Sequence, residues 1–229
     1  MKRAATAIAL GSLLALPLMA SGPGGGMGSA PMPSMQQRSP HDQAVDYFNN
    51  AERRIDGLSK VHDEMKAAMA TDPAKAAKLQ GKLAKGLENA AADLERAVKN
   101  DPQLFQAYSE LGFTYRKMGK YKESLDAYDK ALAISPDYTP ALEYRAEAYL
   151  GLNRIDDARK AYTDLFAGDR PKADALLIAM KSFVAARKAD AAGLDAAQLD
   201  AFSKWVDQRE IIHGQTVALT AQTSTFRSW

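Results

Sequence analysis

A spacing of 34 residues recurs through the middle of this 229-residue chain and restricts the folds open to it. Pro102 and Pro136 are 136 − 102 = 34 positions apart, and three more pairs of small or apolar residues follow the same interval. These pairs are Ala90/Ser124, Leu94/Tyr128 and Ala97/Ala131. A period of this length is typical of a solenoid whose unit is a helix–turn–helix pair, because each pair buries its apolar face on the next.

The clearest unit lies between Asn100 and Pro136. It reads Tyr108-x-x-Leu111-Gly112-x-x-Tyr115, followed by Ser124-x-x-x-Tyr128, Ala131 and Pro136. This pattern resembles the tetratricopeptide repeat, W-x2-L-G-x2-Y, A-x3-F and P. The resemblance implies that small residues let the two helices of a pair approach closely, while aromatic rings fill the wedge between them. The repeat builds a surface for holding other proteins.

A second, weaker unit follows in the same register. Its matching residues, each 34 positions after its counterpart, are Leu142, Ala146, Tyr149, Ala158 and Tyr162. Gly119 and Asn153 occupy corresponding turns, where a left-handed backbone is expected. The unit departs from the pattern at Arg145 and Leu165, and its proline, Pro171, comes one residue late, which predicts a second repeat loosened at its end.

Long helices are predicted before the repeats. Apolar residues at three–four spacing run from Val45 to Met69, and a second stripe begins after Asp72-Pro73, a typical helix start. We expect two antiparallel helices of about 28 residues, each about 42 Å long at 1.5 Å per residue. The far end of these two helices would project beyond the solenoid. Either it is a contact for a second copy or a partner, or its two apolar stripes simply bury each other. Its apolar residues are Leu58, Val61, Met65, Leu79 and Leu83.

The sequence thus predicts an all-α fold. A short right-handed solenoid of two repeats (102–171) is preceded by a long helical hairpin (42–101). Residues 172–212 read as a degenerate repeat or capping helices, because Asp195 and Gln198 have capping-box spacing ahead of an apolar face. Residues 213–229 are polar and rich in threonine, and we expect a loosely ordered tail.

The first 20 residues resemble a secretory signal peptide: a basic start, an apolar stretch, then small residues at Ala20-Ser21. We therefore predict an exported protein, periplasmic or secreted, of bacterial type. Residues 21–41 read as a disordered linker rich in Gly, Pro, Ser and Met. Its methionines and His41 leave open a soft-metal carrier, although no metal ligand set is predicted. The chain has no cysteine, which excludes disulfides and a cysteine-linked lipid anchor.

Charge argues against nucleic acid and against a stable membrane attachment after cleavage. The whole chain has a net charge of +2, and the first 20 residues hold two of its cations and no acid, which leaves 2 − 2 = 0. No cofactor motif, phosphate loop or nucleophile pattern is present, and the three histidines are scattered. The sequence therefore predicts a protein that is not an enzyme and needs no cofactor.

The family resemblance implies where a partner binds. Groove-lining positions of the first helix in each repeat fall on Gln106, Ser109, Phe113, Arg116, Glu143, Glu147 and Leu150, together with Pro140. The carboxylate clamp of chaperone-binding relatives is absent at these positions. Two acids one turn apart favour a basic or amide-rich partner segment with Phe113 as an apolar anchor, although they also fit a solvated acidic face.

Three functions remain open on these residues. The first is a non-catalytic interaction scaffold in the cell envelope that binds a partner protein in the groove of the repeats. The second is a structural homo-oligomer, for example a homodimer, assembled through the N-terminal hairpin. The third is a carrier of a ligand or metal that uses the methionine tract.

Overall fold

The computed structural model of the chain describes the backbone of residues 38–226 and the side chains of residues 38–216. In this range the chain forms eight α-helices and no strand. The helices are α1 (Pro40–Ala68), α2 (Pro73–Asn100), α3 (Phe105–Lys117), α4 (Tyr121–Ile134), α5 (Thr139–Gly151), α6 (Ile155–Gly168), α7 (Arg170–Ala189) and α8 (Ala196–Phe226). The all-α prediction is confirmed. The predicted signal peptide, and the linker up to residue 37, lie outside the described residues.

Helix starts follow local capping chemistry. Ser39 and Asp42 form a reciprocal capping box at the start of α1, which satisfies two backbone donors that helix geometry leaves without a partner. Asp72 accepts a hydrogen bond from the backbone N–H of Lys75 at 2.9 Å, with Pro73 in the first turn of α2. Asp195 likewise accepts from the backbone N–H of Gln198, at 3.1 Å, in α8. The predicted starts of α2 and α8 are confirmed.

The N-terminal hairpin consists of α1 and α2, which are 29 and 28 residues long and pack along each other. An ion pair between Arg54 and Asp93, 2.8 Å from Nε to Oδ2, joins the two helices. From α2, only residues from Ala90 onward belong to the core that continues into the repeats. The buried residues nearer the tip lie outside that core, so the far half of the hairpin packs only on itself.

The two predicted repeats are the helical pairs α3–α4 and α5–α6. Gly119 and Asn153 have φ values of 76° and 58° in the two turns, as the sequence predicts. Within the first pair, Gly112 of α3 lies against the ring of Tyr128, which is fully buried in α4. The hydroxyl of Ser124 donates to the carbonyl of Gly112 at 2.7 Å. Small residues therefore do bring the two backbones together.

Two longer helices, α7 and α8, close the stack. Asp169 caps α7 directly after α6 ends, so no linker separates them. Helix α8 continues to Phe226, which differs from the loosely ordered tail expected from residue 213 onward. A side-chain contact with α7 lies at the start of this segment: His213 pairs with Asp174 at 2.8 Å. The segment also contains no proline, the residue that most strongly interrupts a helix.

Two adjoining apolar clusters hold the fold together. One joins α1 through α5, and the other joins α5 through α8. Helix α5 belongs to both and contacts α3, α4, α6 and α7. Across residues 38–226, none of the helices has the length and apolar character that a membrane crossing demands.

Candidate functional site

The first helices of three successive pairs, α3, α5 and α7, lie side by side: α3 contacts α5, and α5 contacts α7. Such an arrangement builds the extended binding face of a helical-repeat solenoid. The predicted partner-binding residues lie on α3 and α5, so this face is the candidate functional site. We call it the concave face.

A buried cation links α3 to α5 on this face. Arg116 is ion-paired with Glu147, and its side chain is only 9% exposed. Its guanidinium carbon lies 5.2 Å from the centre of the Phe113 ring and 5.3 Å from that of Tyr144. Contact with two aromatic rings and a carboxylate compensates the arginine for part of its lost hydration.

A second ion pair links α5 to α7. Lys172 Nζ lies 2.6 Å from Oε2 of Glu143, a residue only 3% exposed. Burial raises the pKa of the Glu143 carboxyl, because the charged form loses hydration, and the nearby Lys172 opposes this effect. Lys172 Nζ also lies 5.7 Å from the centre of the Tyr144 ring. Both acids of α5 are therefore neutralised within the chain.

The predicted groove residues differ widely in accessibility. Besides Arg116, four of them are buried: Ser109, Phe113, Glu143 and Leu150. Gln106 is half-buried, and Glu147 retains 22% of its side-chain exposure. The structure brings Phe113, Arg116, Glu143 and Glu147 into one charged and aromatic row. Ser109 and Leu150 belong instead to the packed interior.

Sequence reasoning missed two members of this row, Lys172 and Tyr144. The residue 34 positions before Lys172 is Tyr138, which precedes α5, so the repeat register does not assign Lys172 to the face. Tyr144 follows Glu143 directly and lies at no groove position implied by the family. An available signal was the cap-and-proline sequence Asp169-Arg170-Pro171, which starts α7 early enough to bring Lys172 beside α5.

The histidines do not assemble a metal site. His41 lies 2.6 Å from Oδ2 of Asp101, and His213 lies beside Asp174 at the α7–α8 interface. Within residues 38–216, no three His, Asp or Glu side chains cluster in a way that would hold a metal ion. The methionines of the predicted linker lie outside the described residues.

Comparison with known proteins matches the repeats. A family model described as tetratricopeptide repeat matches residues 105–138. The chain is 43% identical over 53 residues, 23% of its length, to small glutamine-rich tetratricopeptide repeat-containing protein 2 of Saccharomyces cerevisiae, covering 15% of that protein. It is 43% identical over 47 residues, 20% of its length, to the probable UDP-N-acetylglucosamine–peptide N-acetylglucosaminyltransferase SPINDLY of Solanum lycopersicum, covering 5% of it.

Two solved structures of MamA also resemble the chain. The crystal structure of MamA covers 57% of this chain and 89% of its own, at 21% identity and a TM-score of 0.35. The MamA RS-1 ArsTM double mutant covers 74% of this chain and 97% of its own, at 16% identity and a TM-score of 0.36. Scores at this level do not define a shared overall architecture.

The chain therefore contains a tetratricopeptide repeat at residues 105–138, within stacked helical pairs that follow the 34-residue period. This fold is a scaffold for protein–protein interaction.

Proposed function

We propose that the chain is an exported, non-catalytic scaffold of the bacterial cell envelope that binds a segment of a partner protein along the concave face. The observation that carries this proposal is the row of charges across three helices, Arg116 with Glu147 and Glu143 with Lys172. The signal-peptide pattern of residues 1–20 supports export.

Stability alone is a weak reason for such a row. A buried ion pair contributes little compared with apolar residues of similar size, because desolvation offsets most of the attraction. The four groups are held by neighbouring helices rather than by a flexible loop, so a partner would meet donors and acceptors already fixed in place. A rigid polar row therefore suits recognition better than it suits core packing.

The pairing also narrows the chemistry of the partner. Because each acid of α5 already has a cation beside it, the row of Arg116, Glu143, Glu147 and Lys172 has no net charge. A strongly basic segment would have to displace Arg116 or Lys172. An extended, amide-rich segment can instead form hydrogen bonds to Arg116 and Lys172 while both stay paired. We therefore propose that kind of partner, with one cation of the segment near Glu147.

Crosslinking in cells, followed by mass spectrometry, tests the proposal. Glu147→Gln removes a partly exposed charge, and Gln106→Arg adds bulk at a half-buried position of the face. Charge reversal at Glu143 is unsuitable, because that residue is 3% exposed and its variant would disturb folding. Asp207→Asn on α8, an exposed acid away from the face, is the matched control.

A partner captured by wild type and by the control, but lost from both concave-face variants, would support the proposal. Equal capture by all four proteins would contradict it. Circular dichroism of each variant must match wild type, so that lost capture does not reflect unfolding.

The hairpin tip favours a second candidate, a homo-oligomer. Met69 at the tip is 64% exposed, and Leu79 and Leu83 are only half-buried. If copies associate there, the wild type should sediment as an oligomer and the double variant Leu79→Glu/Leu83→Glu as a monomer. A monomeric wild type would eliminate this candidate and leave the scaffold unaffected.

A further inference from the structure

A cleft of about 480 Å³ opens between α2 and α4. Its floor is formed by Tyr108, Leu111 and Tyr115 of α3, and carboxylates line both walls. These carboxylates are Glu95 on α2 and Glu123 and Asp126 on α4. At 3.6 residues per turn, the floor residues lie on the side of α3 opposite the concave face. The volume falls within the range of ligand sites, roughly 300–1,000 Å³.

The repeat architecture provides an internal comparison for this cleft. The equivalent positions lie one repeat later, where Asp129 on α4 corresponds to Glu95 and Tyr149 on α5 corresponds to Tyr115; we call these positions the second groove. On its floor, Arg145 stands where the first groove has Leu111. Arg145 Nη1 lies 2.8 Å from Oδ1 of Asp129, and its guanidinium carbon lies 5.9 Å from the centre of the Tyr149 ring.

The second groove therefore contains two guanidinium groups from its own chain: Arg145 lies between a carboxylate and the Tyr149 ring, and the guanidinium carbon of Arg154 lies 4.6 Å from the centre of the same ring. The first groove retains the carboxylate and the tyrosine ring and has no guanidinium at either equivalent position: Leu111 replaces Arg145, and Lys120, with Nζ 5.8 Å from the centre of the Tyr115 ring, replaces Arg154. Here the hydroxyl of Tyr115 donates to Glu95 Oε1 at 2.7 Å, which fixes that carboxylate beside the ring. In the part of the chain that the structure describes, Glu123 and Asp126 take part in no ion pair, so acceptor capacity remains.

We propose that the first groove is a docking site for an arginine side chain of a partner protein, the intermolecular counterpart of Arg145. A planar guanidinium can stack on a tyrosine ring and donate to two carboxylate oxygens at once, which a lysine ammonium cannot do. The cleft also contains Lys99 and Lys130, and Lys130 Nζ lies 5.8 Å from the centre of the Tyr108 ring. With the three carboxylates of the cleft, these two lysines leave its lining a net charge of 2 − 3 = −1, so one arginine per groove is expected.

This site is separate from the proposed function, because it lies on the other side of α3. Loss of binding here would leave concave-face capture intact, and the reverse also holds. The two proposals can therefore fail independently.

The test uses the ¹⁵N-labelled full chain and the peptide acetyl-Arg-Gly-Arg amide, with acetyl-Lys-Gly-Lys amide as the matched control. Titration to about 10 mM detects a Kd near 1 mM. We expect amide shifts centred on residues 95, 115, 123 and 126, and weaker shifts with the lysine peptide. Glu95→Gln should weaken binding about two- to fivefold, the scale of one exposed ion pair.

Exchanging the floor residues of the two grooves sharpens the test. Leu111→Arg should fill the first groove and abolish the shifts. The double variant Arg145→Leu/Arg154→Gln removes both guanidinium groups from the Tyr149 ring, so it should open the second groove and add shifts on α4 and α6. Because Leu111 is 6% exposed, its variant counts only if circular dichroism shows native helix content. Glu95→Gln and the double variant Arg145→Leu/Arg154→Gln decide the matter without it. Absence of arginine-peptide shifts, shifts unchanged by Glu95→Gln, or equal binding of the lysine peptide would overturn the proposal.

Discussion

Substitution by alanine should have opposite effects at two glycines: Gly112, where α3 and α4 approach closely, and Gly81, which has open space beside it. In Gly112→Ala, the new Cβ would lie 2.7, 2.8 and 2.9 Å from three atoms of the Tyr128 ring. Real Cβ atoms do not tolerate contacts this short, so the ring must move. Tyr128 is fully buried, and it therefore has no open space to move into.

Gly81 is the matched control, because it lies within α2 and a Cβ there would meet nothing within 4 Å. Overpacking costs about 1–3 kcal/mol, and three short contacts place Gly112→Ala in the upper part of that range. Alanine regains up to about 1 kcal/mol of helix propensity at either position. We therefore expect a net loss of about 1–2 kcal/mol for Gly112→Ala and a gain of about 0.5–1 kcal/mol for Gly81→Ala.

Urea unfolding followed by far-UV circular dichroism measures both free energies of unfolding. Thermal unfolding should agree, with Tm lower by about 2–8 °C for Gly112→Ala, since 1 kcal/mol corresponds to roughly 2–4 °C in a chain of this size. If Gly112→Ala is as stable as Gly81→Ala, the tight contact between α3 and the Tyr128 ring does not exist. If Gly81→Ala lowers the free energy of unfolding, the gain expected from helix propensity does not occur.

Three further predictions concern buried or connecting polar groups. Ser124→Ala removes the 2.7 Å hydrogen bond to the Gly112 carbonyl, which keeps its partner within α3, and should cost about 0.5–1.5 kcal/mol by urea unfolding. An unchanged free energy of unfolding would contradict this. Burial raises the folded-state pKa of Glu143 above its ordinary value of 4.5, so above pH 4.5 the folded state binds this proton more tightly than the unfolded state. The stability of the wild type relative to Glu143→Gln should therefore fall as the pH rises from 4.5 through the folded-state pKa. A rise in relative stability would contradict the prediction. Asn153→Gly keeps the left-handed turn but removes hydrogen bonds to the Ala192 carbonyl at 3.0 Å and from Arg187 Nε at 3.1 Å. It should speed amide exchange around residue 192 and cost about 1 kcal/mol, whereas unchanged exchange would show that the tether is unimportant.

The helical pairs could be predicted because their signals are local. Proline, glycine and capping residues mark the ends of helices through backbone chemistry alone, as Asp72 and Gly119 illustrate. The length of α8 could not be predicted in this way. Threonine-rich sequence has low helix propensity. Beyond residue 210, α8 is instead held by contact with α7, including the pair between His213 and Asp174.

The candidate site could be predicted only in part. Family positions identify Arg116 and Glu147 as members of one face, but they do not show that these side chains pair with each other. The charge of Glu143 is offset by Lys172, whose position depends on where α7 begins rather than on the repeat register. Sequence therefore predicts the face, and the pairing that removes its acidic character requires the packing of three helices.

Departures from the repeat pattern carry information that the matching positions do not. Leu165 stands where the first repeat has Ala131, and this suggested a loosened end to the second repeat. In the structure Leu165 is 4% exposed within the second apolar cluster, and α6 remains regular to Gly168, so the larger side chain fills space beside the closing helices. Arg145 departs in the other direction, because it replaces an apolar floor with a cation that its neighbours neutralise. For Arg145 the chain itself supplies the compensating carboxylate, that of Asp129. The first groove keeps a carboxylate and a tyrosine ring at the equivalent positions, Glu95 and Tyr115, but has Leu111 in place of the arginine. A guanidinium from another molecule would therefore make there the contacts that Arg145 makes within the chain.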